Sequence, residues 1–323
     1  MMPAPTNQAL LAGGAGKLRS VALPMPFVAR DNDVLLRMLY APVNPADLLS
    51  LDGTYAFSVQ ADAPLGAEGV GVVEKVGSAI VDIEPGDFVL PLDRGNWARY
   101  RAIDRNRLVK VPAGVDPIQA SMMRINPPTA WGLLDASGAE SGDCIIQNAA
   151  VSTVANWVRI LAARRGIHVI NVVRPGSPTV EGYIADGPSL VEDVRCESAG
   201  RPVRAALDCV AGESTGRLAT CLSAGGQVIV FGHLSGQPSS IRSQLLTGQG
   251  LSVRGFSLRP AEASQTVAER DAMFATLWSI AREEEIRLQV RTVIGLCDAD
   301  RAIDLARVSG GGRVLLNLQV SDM

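Results

Sequence analysis

Between Cys144 and Arg174 the apolar positions change period twice. Cys144-Ile145-Ile146 is a short apolar run, and such a run predicts a buried strand. A loop of small residues follows, Asn148 to Ser152. Val154, Val158, Leu161 and Ala162 then recur at i, i+4, i+7 and i+8, one face of a helix. Arg159, Arg164 and Arg165 fall largely off that stripe. Gly166 predicts the stop, in the left-handed conformation that glycine tolerates. Ile167 to Val173 predicts a second buried strand, parallel to the first. Strand, loop, helix and strand make a βαβ unit, whose helix N-terminus is a site for dinucleotide phosphates. The loop, however, lacks the glycines that usually let a pyrophosphate approach.

The same alternation extends downstream. Arg204–Val210 and Gln227–Phe231 predict strands, Ser214–Leu222 a helix, and Leu251–Leu258 another strand. Residues 264–285 predict a long helix and Gly312–Leu318 a last strand. Upstream the pattern differs. Val34–Leu39 and Phe88–Leu90 predict strands between turn signals, with a short helix starting at Pro45. Helical character begins only past Pro112, from Ile118 to Leu134, where Asn126-Pro127-Pro128 reads as an interruption. The expectation is a turn-punctuated β domain over the first 115 residues, followed by a doubly wound parallel sheet.

Composition changes this picture little. The 323 residues suit two domains, and a net charge of −3 gives no reason to expect nucleic acid or an acidic membrane as partner. Only three of the 30 basic residues are lysine, and the arginines are scattered rather than gathered into a patch. The five cysteines include no CxxC pair and there are two histidines, so neither a disulfide framework nor a four-ligand zinc site is expected. No apolar run reaches membrane-spanning length. Buried thiols in a reducing cytoplasm are the expected use of the cysteines.

Six short motifs occur in order: Asn44-Pro45-Ala46-Asp47, Gly53-Thr54-Tyr55, Glu68-Gly69-Val70, Asn126-Pro127-Pro128-Thr129-Ala130, Gln147-Asn148-Ala149 and Asn171-Val172-Val173-Arg174. Together they resemble the zinc-free medium-chain dehydrogenase/reductases. The resemblance is nearest to the 2-enoyl thioester reductases (the trans-2-enoyl-CoA reductase type) and next to the quinone oxidoreductases. It implies an α/β fold: a Rossmann doubly wound parallel sheet over 116–259 and a GroES-like β domain over 1–115 and 260–323. Positions that carry Cys and His zinc ligands in metal-dependent relatives are Asn44 and Ala67-Glu68 here, so no metal is expected.

The implied chemistry is hydride transfer from NADPH to an activated C=C bond of an acyl thioester, or alternatively of a quinone or enone. Tyr55 matches the tyrosine that such enzymes use at the thioester oxygen and as a proton source; otherwise it is a loop aromatic. Asn44 matches a residue beside nicotinamide and substrate, and Asn before Pro is also a natural helix cap. Thr129 matches a nicotinamide-carboxamide contact, or serves helix packing. Asn148, Ser152, Thr153 and Val154 lie where the pyrophosphate would sit. Gly232 and His233 follow a strand end, where ligands bind in doubly wound sheets. Arg174 replaces the acidic residue that binds ribose hydroxyls in NAD sites, and can pair with a 2′-phosphate instead. Trp97 lines the acyl cleft or belongs to the core, while Phe256 and Ser257 fall at the acyl pocket. His168, in an apolar strand, reads as a core residue.

Two departures bear on function. Thr153 stands where relatives have glycine, and a β-branched residue disfavours positive φ. Ser257 stands where similar reductases often have tryptophan, which leaves pocket width open. A non-catalytic relative with impaired cofactor binding is the rival that Thr153 supports. The resemblance also implies a homodimer through the edge strand that begins at Leu251.

Overall fold

The computed structural model describes residues 6–14, 16–54, 62–177, 181–283, 286–308 and 310–319. Contacts divide the chain into two compact units, residues 1–125 with 266–323, and residues 126–265.

The chain opens with a hairpin of β1 (Thr6–Gly14) and β2 (Lys17–Pro24), antiparallel and bulged near Ala12. β3 (Asp33–Pro42) runs into α1 (Pro45–Leu51), which Asn44 caps in extended geometry. β4 (Val70–Val76), β5 (Phe88–Pro91), β6 (Tyr100–Asp104) and β7 (Leu108–Lys110) follow as short antiparallel strands. α2 (Pro117–Ala120) is one turn, started by Asp116, whose carboxylate accepts the Ile118 N–H.

The second unit begins with α3 (Asn126–Ser137). Asn126-Pro127-Pro128 therefore starts a helix rather than interrupting one. Proline costs nothing in a first turn, where the N–H has no partner to lose. Then come β8 (Cys144–Gln147), α4 (Thr153–Arg164), β9 (His168–Val173), β10 (Tyr183–Ala185), α5 (Leu190–Ser198), β11 (Val203–Asp208), α6 (Glu213–Thr220), β12 (Gln227–Val230), α7 (Ser243–Gln249), β13 (Ser252–Gly255) and α8 (Leu258–Ala263). The six strands form one parallel sheet in the order β10-β9-β8-β11-β12-β13. Ile146, Ile170, Val172, Ala206 and Val228 pack its core. Gly166 ends α4 as expected, at φ +68°.

The chain then returns to the first unit through α9 (Val267–Glu283), β14 (Val290–Gly295), α10 (Ala299–Arg307) and β15 (Arg313–Asn317). β15 pairs antiparallel with β3 and parallel with β14, completing a sheet ordered β14-β15-β3-β4-β5-β7, with β6 also on β3. Its core includes Leu36, Met38, Leu65, Val89, Trp97 and Leu316.

The strand expected over Leu251–Leu258 is confined to β13. Phe256 leaves the ladder and seats its ring on α3, where a Cβ at Gly132 would come within 2.6 Å of it. The unit boundaries lie beyond those expected at 115 and 259. α2 packs on β3 and β4, and Gln119 exchanges hydrogen bonds with the Leu288 backbone, which keeps 116–125 with the β unit. α8 packs on α3, which keeps 258–263 with the second.

Candidate functional site

In the second unit the C-terminal ends of β8, β9, β11 and β12 carry most of the expected cofactor residues. Gln147, the last residue of β8, donates to the Ala155 carbonyl (3.0 Å) and to Asn171 Oδ1 (2.8 Å), tying the strand to α4 and β9. Asn148 follows, and its side chain is fully committed. Nδ2 donates to Asp208 Oδ1 (2.6 Å) and Ser214 Oγ (3.2 Å), while Oδ1 accepts the Cys209 N–H (2.7 Å). Asn148, expected among the cofactor contacts, braces β8 to the turn after β11. Asp208 completes that brace by accepting from the Val210 and Ala211 N–H groups and the Thr215 hydroxyl.

The conformational strain expected at Thr153 sits elsewhere. Ala149 carries the positive φ of this loop, +50°, while Thr153 is the first residue of α4 in helical geometry. A left-handed non-glycine residue costs roughly 1–2 kcal/mol, and the Asn148–Asp208 network lies beside it. Ser152 caps α4, its Oγ accepting the Ala155 N–H (3.2 Å), and its carbonyl accepts the Asn156 N–H. The Thr153 and Val154 N–H groups have no acceptor among the described residues. Two unspent donors at the start of a 12-residue helix fit a phosphate group.

Arg174 follows β9, is exposed, and has no ion-pair partner among the described residues. Gly232 lies against the turn after β11: a Cβ there would stand 2.7 Å from the Cys209 carbonyl. Burial pushes the Cys209 thiol up to about 12, which removes it as a nucleophile. His233 is exposed. Thr129 is half-buried in the first turn of α3, and its hydroxyl has no hydrogen bond among the described residues. Ser257 caps α8 in extended geometry without a side-chain cap bond. His168, expected in the core, is partly exposed and lies 3.7 Å from Glu197.

The first unit holds a buried polar cluster around α1. Asn44 is 3% exposed. Its Nδ2 donates to Glu68 Oε1 (2.9 Å), and its backbone N–H donates to Asp47 Oδ2 (3.0 Å). The Asp47 N–H is taken by Asn44's own carbonyl (2.9 Å), so Asn44 Oδ1 faces that turn without closing a cap bond. Both expected functions of Asn44 are thus sterically compatible: the backbone caps, and the amide is held by a carboxylate. Asp47 also accepts from Arg94 Nη2 (3.1 Å), and Arg94 donates to Ser50 Oγ. Burial raises the Asp47 carboxyl to about 6 against the pull of Arg94. Burial raises Glu68 further, to about 7, against Asn44, Arg313, Ile125 and Arg124.

Tyr55 lies outside the described residues. Trp97, expected either at the acyl cleft or in the core, is fully buried in the β core. Its indole fills the space over Gly66, where a Cβ would come within 2.5 Å of Cδ1. Glu68 and Asp208 are the acids at the centre of these clusters, and neither had an expected role. For Glu68 the signal was an acid enclosed by Gly66, Ala67, Gly69 and Val70, where a surface charge is out of place. For Asp208, at the end of an apolar strand, the signal was weaker. Among the described residues no group of three or more His, Cys, Asp and Glu is placed to hold a metal, and no helix is long and apolar enough to cross a membrane.

The profile of the Alcohol dehydrogenase GroES-like domain matches residues 30–113. The mitochondrial enoyl-[acyl-carrier-protein] reductase of Dictyostelium discoideum is 34% identical over 307 residues, covering 90% of this chain and 87% of that protein. The Homo sapiens protein of the same name is 31% identical, covering 85% and 78%. Among solved structures, one assigned as an NADPH:quinone reductase from Bacillus thuringiensis superposes with a TM-score of 0.88 at 26% identity, covering 97% of this chain and 99% of that one.

Proposed function

The chain belongs to the zinc-free medium-chain dehydrogenase/reductases, in the branch of the enoyl-[acyl-carrier-protein] reductases, and from that premise we propose that it reduces the C=C bond of a 2-enoyl thioester with NADPH. The observation that carries the cofactor side is the pairing of two N–H donors at the start of α4, without acceptors among the described residues, with an exposed arginine after β9. The first fits a pyrophosphate oxygen. The second fits a 2′-phosphate, which a guanidinium can hold through two hydrogen bonds. The Ser152 hydroxyl still has its proton to donate beside them.

When bound, NADPH supplies the hydride that adds to Cβ. Negative charge then gathers on the thioester oxygen and Cα must take a proton. Thr129 offers an unengaged hydroxyl to the nicotinamide carboxamide, and Gly232 and His233 would border the cofactor at the end of β12. Asn44, held by Glu68, orients nicotinamide and substrate. Tyr55 donates its hydroxyl hydrogen bond to the thioester oxygen and passes a proton toward Cα. Phe256 and Ser257 bound the acyl end. The β unit is assigned as the GroES-like catalytic domain and the parallel sheet as the dinucleotide domain.

A second reading, reduction of a quinone or enone, is favoured by the likeness to the Bacillus protein and by the small Ser257. We also propose a homodimer paired through β13, an edge strand whose four residues are all exposed. Cys144, Cys209 and Cys221, buried or half-buried thiols, support a reducing compartment, and we propose the cytoplasm, although the curated relatives are named as mitochondrial.

The test is direct. The purified protein is titrated with NADPH while nicotinamide fluorescence is followed, and crotonyl-CoA is then added. Saturable binding and consumption of NADPH are expected. No binding at millimolar NADPH overturns both readings and leaves the non-catalytic one. Turnover of quinones without turnover of crotonyl-CoA selects the second.

A further inference from the structure

Glu68 is one of two fully buried acids of the β unit, with Asp47, and no role follows for it from the reaction as described. It is fully buried, and the four groups that touch its two oxygens or lie nearest in charge are all donors or cations. Oε1 accepts from Asn44 Nδ2 (2.9 Å). Oε2 accepts from two successive backbone N–H groups, Arg124 (3.1 Å) and Ile125 (2.9 Å). The charges of Arg124 and of Arg313 on β15 favour the carboxylate. Asp47, the other buried acid of this cluster, holds the Asn44 backbone N–H instead.

An asparagine amide has two ends of opposite character, a donor and an acceptor, and can turn over within the same volume. What decides the choice is the partner. A carboxylate accepts only, so it fixes the NH2 end against itself and turns Oδ1 toward the first turn of α1, where, closing no cap bond, it is the end left to accept from a ligand. We propose that Glu68 is a positioning residue that sets which end of the Asn44 amide is presented, and so makes Asn44 a hydrogen-bond acceptor in the reaction. This rests on the reading that Asn44 works beside nicotinamide and substrate. The same carboxylate anchors the backbone of Arg124 and Ile125, the last two residues before α3, so one buried charge orders both segments.

Glu68→Gln tests it with little change of volume. The amide oxygen of the substituted side chain takes over the Arg124 and Ile125 N–H groups, and its NH2 then faces Asn44. One turn of the Asn44 amide satisfies that NH2, so the variant folds, but with the donor end presented. The kcat for crotonyl-CoA falls roughly ten- to a hundredfold, while KM for NADPH changes by no more than about threefold. In the wild type, kcat also falls as pH drops through about 7, when Glu68 takes a proton and becomes a donor toward Asn44. Glu68→Gln lacks that limb. Adding Asn44→Asp to Glu68→Gln restores an acceptor at both ends of residue 44 and recovers part of the lost kcat. Unchanged kcat in Glu68→Gln, or no recovery in the double variant, overturns the proposal. A second readout does not need turnover. The Asn44 side-chain NH2 signals, assigned by NMR from their loss in Asn44→Asp, exchange slowly with solvent in the wild type and rapidly in Glu68→Gln. Equal exchange overturns the proposal. A wild type that fails to reduce crotonyl-CoA overturns the reductase reading instead, and the exchange comparison still decides the role of Glu68.

Discussion

Each unit buries an asparagine beside a carboxylate, and the two pairs are built for different ends. In the parallel-sheet unit Asn148 spends every polar atom: two donors go to Asp208 and Ser214, and its oxygen takes the Cys209 N–H. In the β unit Asn44 gives only its NH2 end to a side chain, Glu68, and closes no cap bond with Oδ1. The first amide is tied to the protein at both ends. The second keeps an oxygen, facing the first turn of α1, that closes no cap bond. The same residue type next to the same functional group is thus structural in one place and a candidate working group in the other, and only the hydrogen-bond inventory tells them apart.

Asp208→Asn breaks the comparison most severely. It replaces an acceptor-only carboxylate that serves four donors with an amide that keeps one acceptor oxygen and makes the Thr215 hydroxyl reverse its bond, and is expected to cost about 2 kcal/mol; urea unfolding measures it. Asn44→Ala should instead leave most of the stability and lower kcat for crotonyl-CoA by roughly a hundredfold, read from steady-state kinetics beside the unfolding curve. If Asn44→Ala destabilises as much as Asp208→Asn, the distinction between the two pairs is lost. Arg174→Ala should weaken NADPH by about tenfold, ~1.4 kcal/mol, and leave NADH nearly unchanged; equal losses would remove the 2′-phosphate role. The pH dependence of melting sharpens the buried acid itself. The folded Glu68 carboxyl, at about 7, lies above its ordinary 4.5, so its stabilising proton is fully bound below 4.5 and lost as pH rises through about 7. Glu68→Gln should flatten that part of the melting profile, and an unchanged slope would place the titration elsewhere. The smallest effect is expected for Thr153→Gly. Because Thr153 is helical and not left-handed, glycine there relieves no strain, and NADPH affinity should move by less than about threefold. A large gain in affinity would return the doubt to Thr153.

Much of the fold was legible in the residues. The change of period across 144–174 anticipated β8, α4 and β9, and the glycine stop at 166 appeared with its positive φ. The six ordered motifs led to the family that the relatives show. Other elements were not legible. β10, α5, α7 and β14 are short or weakly periodic, and sheet pairing or packing against neighbours defines them more than local pattern does; α10, nine residues long, is amphipathic and its pattern could have been read. Asn126-Pro127-Pro128 read as a break because proline stops a helix from inside and starts one from its first turn, and the chain alone does not say which side is meant. Trp97 illustrates the same limit, since alternation in a short strand does not tell which face meets the core.

Sequence by itself determined the α/β architecture, the dinucleotide-type βαβ unit, the arginine after β9 and the family chemistry. These depend on local period, turn chemistry and residue type, which need no partner from elsewhere in the chain. The tertiary structure alone decided where the loop strain sits, that Asn148 is spent, that Trp97 is core, and that Glu68 faces Asn44. Each of those is a meeting of residues from distant segments (44 with 68, 148 with 208, 68 with 124), and the burial and hydrogen-bond partners that give such residues their roles exist only once those segments are packed together.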